Sequence, residues 1–244
     1  MKIHKITRKL LQLLYPKRCP ICDNIRIVQF GAEEDFICET CIDKVEYVKE
    51  PVCKKCGKPI NDERTEFCRD CEQHTHYYVQ GKALWIYKGA VKKSIYRLKY
   101  HNRREYASTY ARELVKQYGD WIRKKQIEAI IPVPLHRKRR KERGYNQAEL
   151  IAKEMGMYLN LPVYKKILIR SIYTRAQKEL NNKERKNNLK KAFKIVKNDV
   201  QLRKVLLVDD IYTTGSTIDA AAQTLREAGI LEVYFVSVSI GRGF

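Results

Sequence analysis

The chain has 244 residues, 44% of them hydrophobic and 32% charged, which is enough apolar material for a packed core and enough length for one large domain or a small and a medium one. Lysine and arginine outnumber aspartate and glutamate 50 to 28, and the resulting +22 favours polyanionic partners: nucleic acid, phosphorylated ligands or an anionic membrane surface. No apolar run approaches the roughly 18 residues of a spanning helix, so stable membrane insertion is not expected.

The first stretch, MKIHKITRKLLQLLYPKRC, is basic with a short apolar segment. It has neither a long h-region nor a small-residue cleavage site, so a signal peptide is not expected. Ile3, Ile6, Leu10, Leu11 and Leu14 share one face of a predicted helix, which either docks on the rest of the protein or lays a basic face on a membrane surface.

All eight cysteines follow within the first 71 residues as four CxxC pairs: Cys19 and Cys22, Cys38 and Cys41, Cys53 and Cys56, Cys68 and Cys71. Two thiolates three positions apart reach one ion across a tight knuckle, and two knuckles complete a tetrahedral zinc shell. Fifteen residues separate the first two pairs and eleven the last two, gaps that suit short ribbon hairpins. Sequential pairing gives two zinc ribbons and closes each unit over a short loop, whereas interleaved pairing gives a cross-brace. With every shell position filled by cysteine, both zinc ions are structural. The two sites lower the formal charge from +22 to about +18. His74 and His76 lie just beyond the last pair and read as linker residues. The predicted division is 1–76, a helix and double zinc ribbon, and 77–244, a second domain.

From Val79 onward the pattern alternates between strands and helices. VQGKALWIY reads as a strand, AVKKSIYRLKYHN and EYASTYARELVKQYGDWIRKK as helices, and IEAIIPVPL as a short buried strand entering a loop. NQAELIAKEMGMYL is a helix capped by Asn146, and LPVYKKILIR is a strand candidate. KVLLVDD is a buried strand, STIDAAAQTLREAG an amphipathic helix ending at Gly229, and LEVYFVSVSI a last strand. Such alternation specifies an α/β fold with a mostly parallel sheet flanked by helices, whose ligands bind at the carboxyl ends of strands.

That rule directs attention to VLLVDDIYTTGST, residues 205–217. Thr213, Thr214, Gly215, Ser216 and Thr217 occupy the start of a helix, where free amides, hydroxyls and the helix dipole favour a phosphate. Asp209 and Asp210 repel phosphate, but they accept hydrogen bonds from sugar hydroxyls or act through Mg2+. A ribose 5-phosphate satisfies both halves. A Walker-B reading needs a GxxxxGK[ST] loop, which the chain lacks. The bland alternative is a strand-ending turn with no ligand.

Residues 205–217 resemble the phosphoribosyl-pyrophosphate (PRPP) motif of type I phosphoribosyltransferases. The resemblance implies that Asp209 and Asp210 hold the ribose hydroxyls and that residues 213–217 cradle the 5-phosphate. It also places IIPVPL with HRKRRKERGYNQ at the pyrophosphate loop, with Arg139 and Arg143 on the diphosphate. Across nearly the whole chain, the CxxC pairs, PVPLHRKRRKERGYNQ, TRAQKELNNKERKNNLKKAF and the PRPP motif together resemble the ComF family of competence proteins. Arg139, Arg143, Asn146 and Gln147 match one family segment; Thr174, Gln177, Leu180, Arg185 and Asn188 match a second, at the position of a mobile active-site loop. The resemblance implies a cytoplasmic role in DNA uptake beside the helicase-like ATPase ComFA, with PRPP and Mg2+ as ligands. Two readings stay open: a single-stranded-DNA-binding component that uses PRPP, and a working phosphoribosyltransferase with an unknown acceptor. Thr213 stands where purine salvage transferases often carry an acid/base aspartate, which leaves the acceptor chemistry unspecified.

Three basic clusters add to the nucleic-acid reading: 88–104 with seven Lys and Arg, 137–143 with six, and 183–194 with six. Tyr96, Tyr100, Tyr145, Tyr158 and Tyr173 are interleaved with this charge. They serve either as packing residues or as stacking surfaces for single-stranded bases.

Overall fold

The structure is a computed structural model that describes residues 18–25, 37–172, 192–196 and 201–242. The expected N-terminal helix, Tyr173 and the segment carrying Thr174, Gln177, Leu180, Arg185 and Asn188 lie outside the described residues.

The cysteine-rich part contains two short helices, α1 (Glu39–Ile42) and α2 (Arg69–Gln73), each begun by a cysteine N-cap, Cys38 and Cys68. The cap and the third helical position lie one turn apart on one side, so Cys41 and Cys71 come back over their partners. The α/β part runs β1 (Gln80–Ile86), α3 (Gly89–Tyr100), α4 (Tyr106–Lys124), β2 (Ala129–Pro132), α5 (Arg137–Arg143) and α6 (Gln147–Leu159). It continues with β3 (Leu168–Arg170), β4 (Phe193–Ile195), β5 (Lys204–Tyr212), α7 (Ser216–Glu227) and β6 (Glu232–Ile240). Four strands form a parallel sheet in the order β1-β6-β5-β2, while β3 and β4 pair as an antiparallel hairpin.

Side-chain alternation along the central strands explains their unbroken apolar runs. Leu206, Val208, Tyr234 and Val236 pack with Ile95, Leu98, Leu114 and Ile151 of the helices on one face. Val205, Leu207, Val233 and Phe235 pack on the other with Ala221 and Leu225 of α7, Leu168 and Phe193 of the hairpin, and Cys53 and Cys56. Both faces are covered, so the polar residues that do recur on β6, Ser237 and Ser239, are buried and hydrogen-bonded rather than solvent-facing. Among the described residues no helix is long and apolar enough to cross a membrane.

The cysteine-rich part is stitched to the sheet. Val48 N donates to Leu84 O at 2.9 Å, Ile86 N to Glu46 O at 2.8 Å, and Gly81 N to Lys55 O at 2.8 Å. Residues 46–48 thereby cover the exposed edge of β1, which would otherwise invite strand pairing. At Gly81 an added Cβ would come within 2.1 Å of Phe235, so glycine is what lets this edge close over the aromatic core.

Three local expectations change. The strand expected over residues 161–170 shrinks to β3, with Val163 making an isolated bridge to Ile130. The last helix ends at Glu227, with Gly229 beyond its cap at φ 98°. His76 is no linker residue: its ring is 7% exposed and stacks on Tyr78 with centroids 5.0 Å apart.

Candidate functional site

The eight sulfurs gather into two groups, Cys19/Cys22/Cys38/Cys41 and Cys53/Cys56/Cys68/Cys71, in the sequential arrangement. Cys38 Sγ lies 3.6 Å from Cys19 Sγ and 3.7 Å from Cys22 Sγ, and Cys56 Sγ lies 3.6 Å from Cys68 Sγ. A tetrahedron with Zn–S bonds of about 2.3 Å has edges of about 3.8 Å, so the donors fit the ion in kind and in spacing. Burial first, and neighbouring thiols second, push Cys41 up to about 12. Such a shell ionises fully only around a cation. Two all-cysteine shells without an open position support structural zinc.

β5 continues through both aspartates to Tyr212, and the chain then turns at residues 213–215 into α7. Gly215 carries the turn at φ 74°, where a Cβ would meet the Tyr212 hydroxyl at 2.3 Å. It is also the N-cap of α7 and offers no side chain of its own, which leaves the first amides of the helix to a ligand. Thr213 and Thr214 are exposed, and Ser216 and Thr217 are half-buried. The Thr214 and Ser216 hydroxyls lie 2.9 Å apart. Beside this turn, a cavity of about 290 Å³ between residues 70–77 and α7 carries Asp70 and Asp219 in its lining. Those carboxylates make that side of the turn acidic.

Asp210 is buried and Asp209 half-buried. Asp209 Oδ1 accepts from the Asp210 amide at 2.8 Å. Burial first, and the neighbouring Asp210 charge second, push the Asp209 carboxyl up to about 8. Asp210 is paired instead with Lys99 of α3, Nζ to Oδ2 at 2.6 Å. The loop after β2 borders the same mouth, with Val133 N donating to Val208 O at 2.9 Å. Asn146 supports it by donating to Val133 O at 3.0 Å while capping α6 through the Ala148 amide at 3.1 Å.

Arg139 and Arg143 lie on α5, which the sequence pattern shows only as a charge run. Arg170, at the end of β3, is close enough to feel the charges of Arg139 and Asp209. Burial first, then the Arg139 charge, hold the Arg170 guanidinium below its ordinary range, while Asp209 opposes them. Arg143 is aimed by its neighbours: Nη1 donates to Gln147 Oε1 at 3.0 Å, Nη2 donates to the Tyr100 hydroxyl at 3.2 Å, and its guanidinium lies 5.0 Å from the centre of the Tyr100 ring. Lys99 and Arg170 escape a residue-by-residue reading of the sequence, because only the packing of α3 and β3 beside β5 brings them to the aspartates.

The basic cluster at 88–104 divides by partner. Arg97 donates to Ile21 O at 3.3 Å and Arg103 to Asp23 Oδ2 at 2.8 Å, so both hold the first cysteine group against α3 and α4. Lys88 pairs with Glu46. Lys92, Lys93, Tyr96 and Tyr100 form an exposed stripe along α3. The Tyr96 and Tyr100 rings lie 4.8 Å apart. Tyr145 is buried under Arg104 and is no stacking surface. Tyr158 is exposed, on α6.

These elements define an α/β domain with a parallel sheet flanked by helices, preceded by a double zinc ribbon. Residues 10–72 match the double zinc ribbon domain. The chain belongs to the competence protein F family. It is 34% identical over 218 residues to competence protein F of Haemophilus influenzae, covering 82% of this chain and 94% of that protein. It is 26% identical over 203 residues to competence protein ComFC of Bacillus subtilis, covering 80% of each. It is 30% identical over 200 residues to DNA utilization protein YhgH of Escherichia coli, covering 81% and 87%. Solved structures with a similar arrangement include a purine phosphoribosyltransferase from Pyrococcus horikoshii, with 15% identity over 53% of this chain and 72% of that one and a TM-score of 0.33. An orotate phosphoribosyltransferase from Aeropyrum pernix matches at 19% identity over 60% and 65% with a TM-score of 0.36.

Proposed function

We propose that this protein binds PRPP with Mg2+ at the mouth of β5 and handles single-stranded DNA on the adjoining surface of α3, as part of DNA uptake or use. The names of its relatives, competence proteins and a DNA utilization protein, support the DNA side of this reading. One observation carries the joint reading: α3 exposes Tyr96 and Tyr100 to solvent and sends Lys99 onto Asp210. In this reading residues 1–76 are the zinc-binding part and 77–244 the PRPP-binding part. Asp209 and Asp210 accept from the sugar hydroxyls, residues 213–217 hold the 5-phosphate, and Arg139 and Arg143 face the diphosphate. Mg2+ would offset charge on the diphosphate and help orient the sugar. A phosphoribosyl transfer would draw on the same groups, but Thr213 supplies no acid or base at neutral pH, so the acceptor's attacking atom would have to lose its proton to water or to another group.

The DNA surface is tested by fluorescence anisotropy with a mixed-sequence single strand. Affinity is expected to fall steeply with salt, because lysine and arginine displace counterions from phosphates. Tyr96→Ala/Tyr100→Ala is expected to weaken binding about 5- to 100-fold with little change in the salt slope, since stacking on an aromatic contributes about 1–3 kcal/mol per base. A flat salt response, or a double variant that binds like wild type, rejects this surface.

The raised Asp209 carboxyl gives the PRPP reading a pH signature. Its native affinity for a proton exceeds that of the unfolded chain, so ligand-free stability falls as pH rises from the ordinary carboxylate range to about 8. PRPP binding has the opposite trend, because the hydroxyls need the ionised form. The dissociation constant for PRPP is expected to drop about tenfold per pH unit up to about 8 and then level. Calorimetry in buffers of different ionisation enthalpy measures the released proton, and a pH-independent constant without proton release rejects this role for Asp209.

A further inference from the structure

Lys99 stands out among the charged groups of the mouth. Its Nζ is 2.6 Å from Asp210 Oδ2, with the two side chains only 17% and 11% exposed. That oxygen is buried and receives no directed hydrogen bond among the described residues, so the contact is a charge pairing that leaves a lone pair open. Lys99 also draws the Asp209 carboxyl downward, against burial and the Asp210 charge. The backbone beneath it is anchored: Ile95 and Leu98 are in the core, Ser94 meets the buried Tyr110 hydroxyl, and Leu98 O accepts from Tyr145. Only the four-carbon stem of the lysine is free to swing.

Resting on the PRPP reading of the same site, we infer that Lys99 is a diphosphate-binding residue that neutralises Asp210 while the sugar seat is empty. The Asp210 carboxylate, and Asp209 once it is ionised, repel an incoming ligand with three phosphoryl groups, and the ammonium cancels the Asp210 charge. When a ribose hydroxyl donates to Asp210 it satisfies the lone pair that Lys99 leaves open. The ammonium then has a stronger partner in the diphosphate on the adjoining carbon of the sugar. Lysine suits the exchange better than arginine, because its compact charge on a flexible stem re-aims without a fixed fork geometry.

The test separates the diphosphate from the rest of the ligand. Full-length wild-type protein and Lys99→Met are titrated calorimetrically with PRPP plus Mg2+ and with ribose 5-phosphate, which lacks the diphosphate. Lys99→Met is expected to weaken PRPP about tenfold or more, the loss of a charge-assisted hydrogen bond, while leaving ribose 5-phosphate within about threefold or tighter. Lys99→Gln, which keeps a polar head, is expected to give the same split and stands in if the methionine variant misfolds. Equal weakening of both ligands makes Lys99 a mere counter-ion and overturns the inference, as does an unchanged PRPP affinity. A wild-type chain that binds neither ligand overturns the PRPP reading, and this inference with it.

Discussion

Cys53→Ser is expected to lower the zinc content from two ions per chain to one and to destabilise the α/β domain along with the ribbon. Cys53 and Cys56 are buried in the same core cluster as Tyr78, Ile131, Leu207 and Phe235 of the second domain. The contacts around that group reach the turn between β5 and α7. Lys58, 7% exposed, places its ammonium 5.6 Å from the centre of the Tyr212 ring. The Tyr78 and Tyr212 hydroxyls are 2.8 Å apart in the interior. His76 lies 3.6 Å from Asp70, beside the last cysteine, and 3.5 Å from Asp219 in the first turn of α7. A structural zinc site in a small ribbon contributes on the order of 10 kcal/mol to its folding, comparable to the whole stability of a domain. Losing it strips a covering layer from one face of the sheet. The expected readout is a fall in melting temperature on the order of 10 °C or more in calorimetry, with one zinc by metal analysis. One zinc together with a wild-type melting curve would show that the ribbon contributes nothing to the sheet's stability.

This coupling marks the limit of what the sequence conveys. The four CxxC pairs are legible because metal geometry imposes a local spacing, and the strands are legible because burial on both faces leaves continuous apolar runs in 204–212 and 232–240. The turn at 213–217 is legible for the same reason: a glycine among hydroxyls at a strand-to-helix junction is a local signature. Lys99 and Arg170 carry no such mark. Each is one cation among fifty, and only the strand order β1-β6-β5-β2, with α3 and the β3–β4 hairpin laid beside it, selects them. His76 is hidden likewise, since a histidine after the last cysteine pair reads as linker until α7 presents Asp219 to it. The basic cluster at 88–104 shows the converse. It reads as one charged face, yet Arg97 and Arg103 hold the first cysteine group and Lys99 turns inward, leaving Lys92, Lys93 and the tyrosine pair to solvent.

The sharpest test of the sugar seat is thermal. A ligand that binds only the native state stabilises it by RT ln(1 + [L]/Kd), about 2.7 kcal/mol at a hundredfold excess over Kd. For a chain of this size that is a rise on the order of 5–10 °C with PRPP and Mg2+. Asp209→Asn/Asp210→Asn is expected to abolish the rise. An amide still offers one acceptor oxygen, but it lacks the charge that strengthens a hydroxyl's hydrogen bond, and its NH2 points donors at donors. The double variant also leaves Lys99 buried without its partner, which lowers the ligand-free melting temperature by itself. The quantity to compare is therefore the shift on adding ligand, each protein against its own ligand-free state. Ribose 5-phosphate should shift the wild-type curve less than PRPP and the double variant not at all. A double variant whose shift with PRPP matches wild type would place the sugar somewhere other than the end of β5, and would leave the turn at 213–217 as a phosphate site without a ribose.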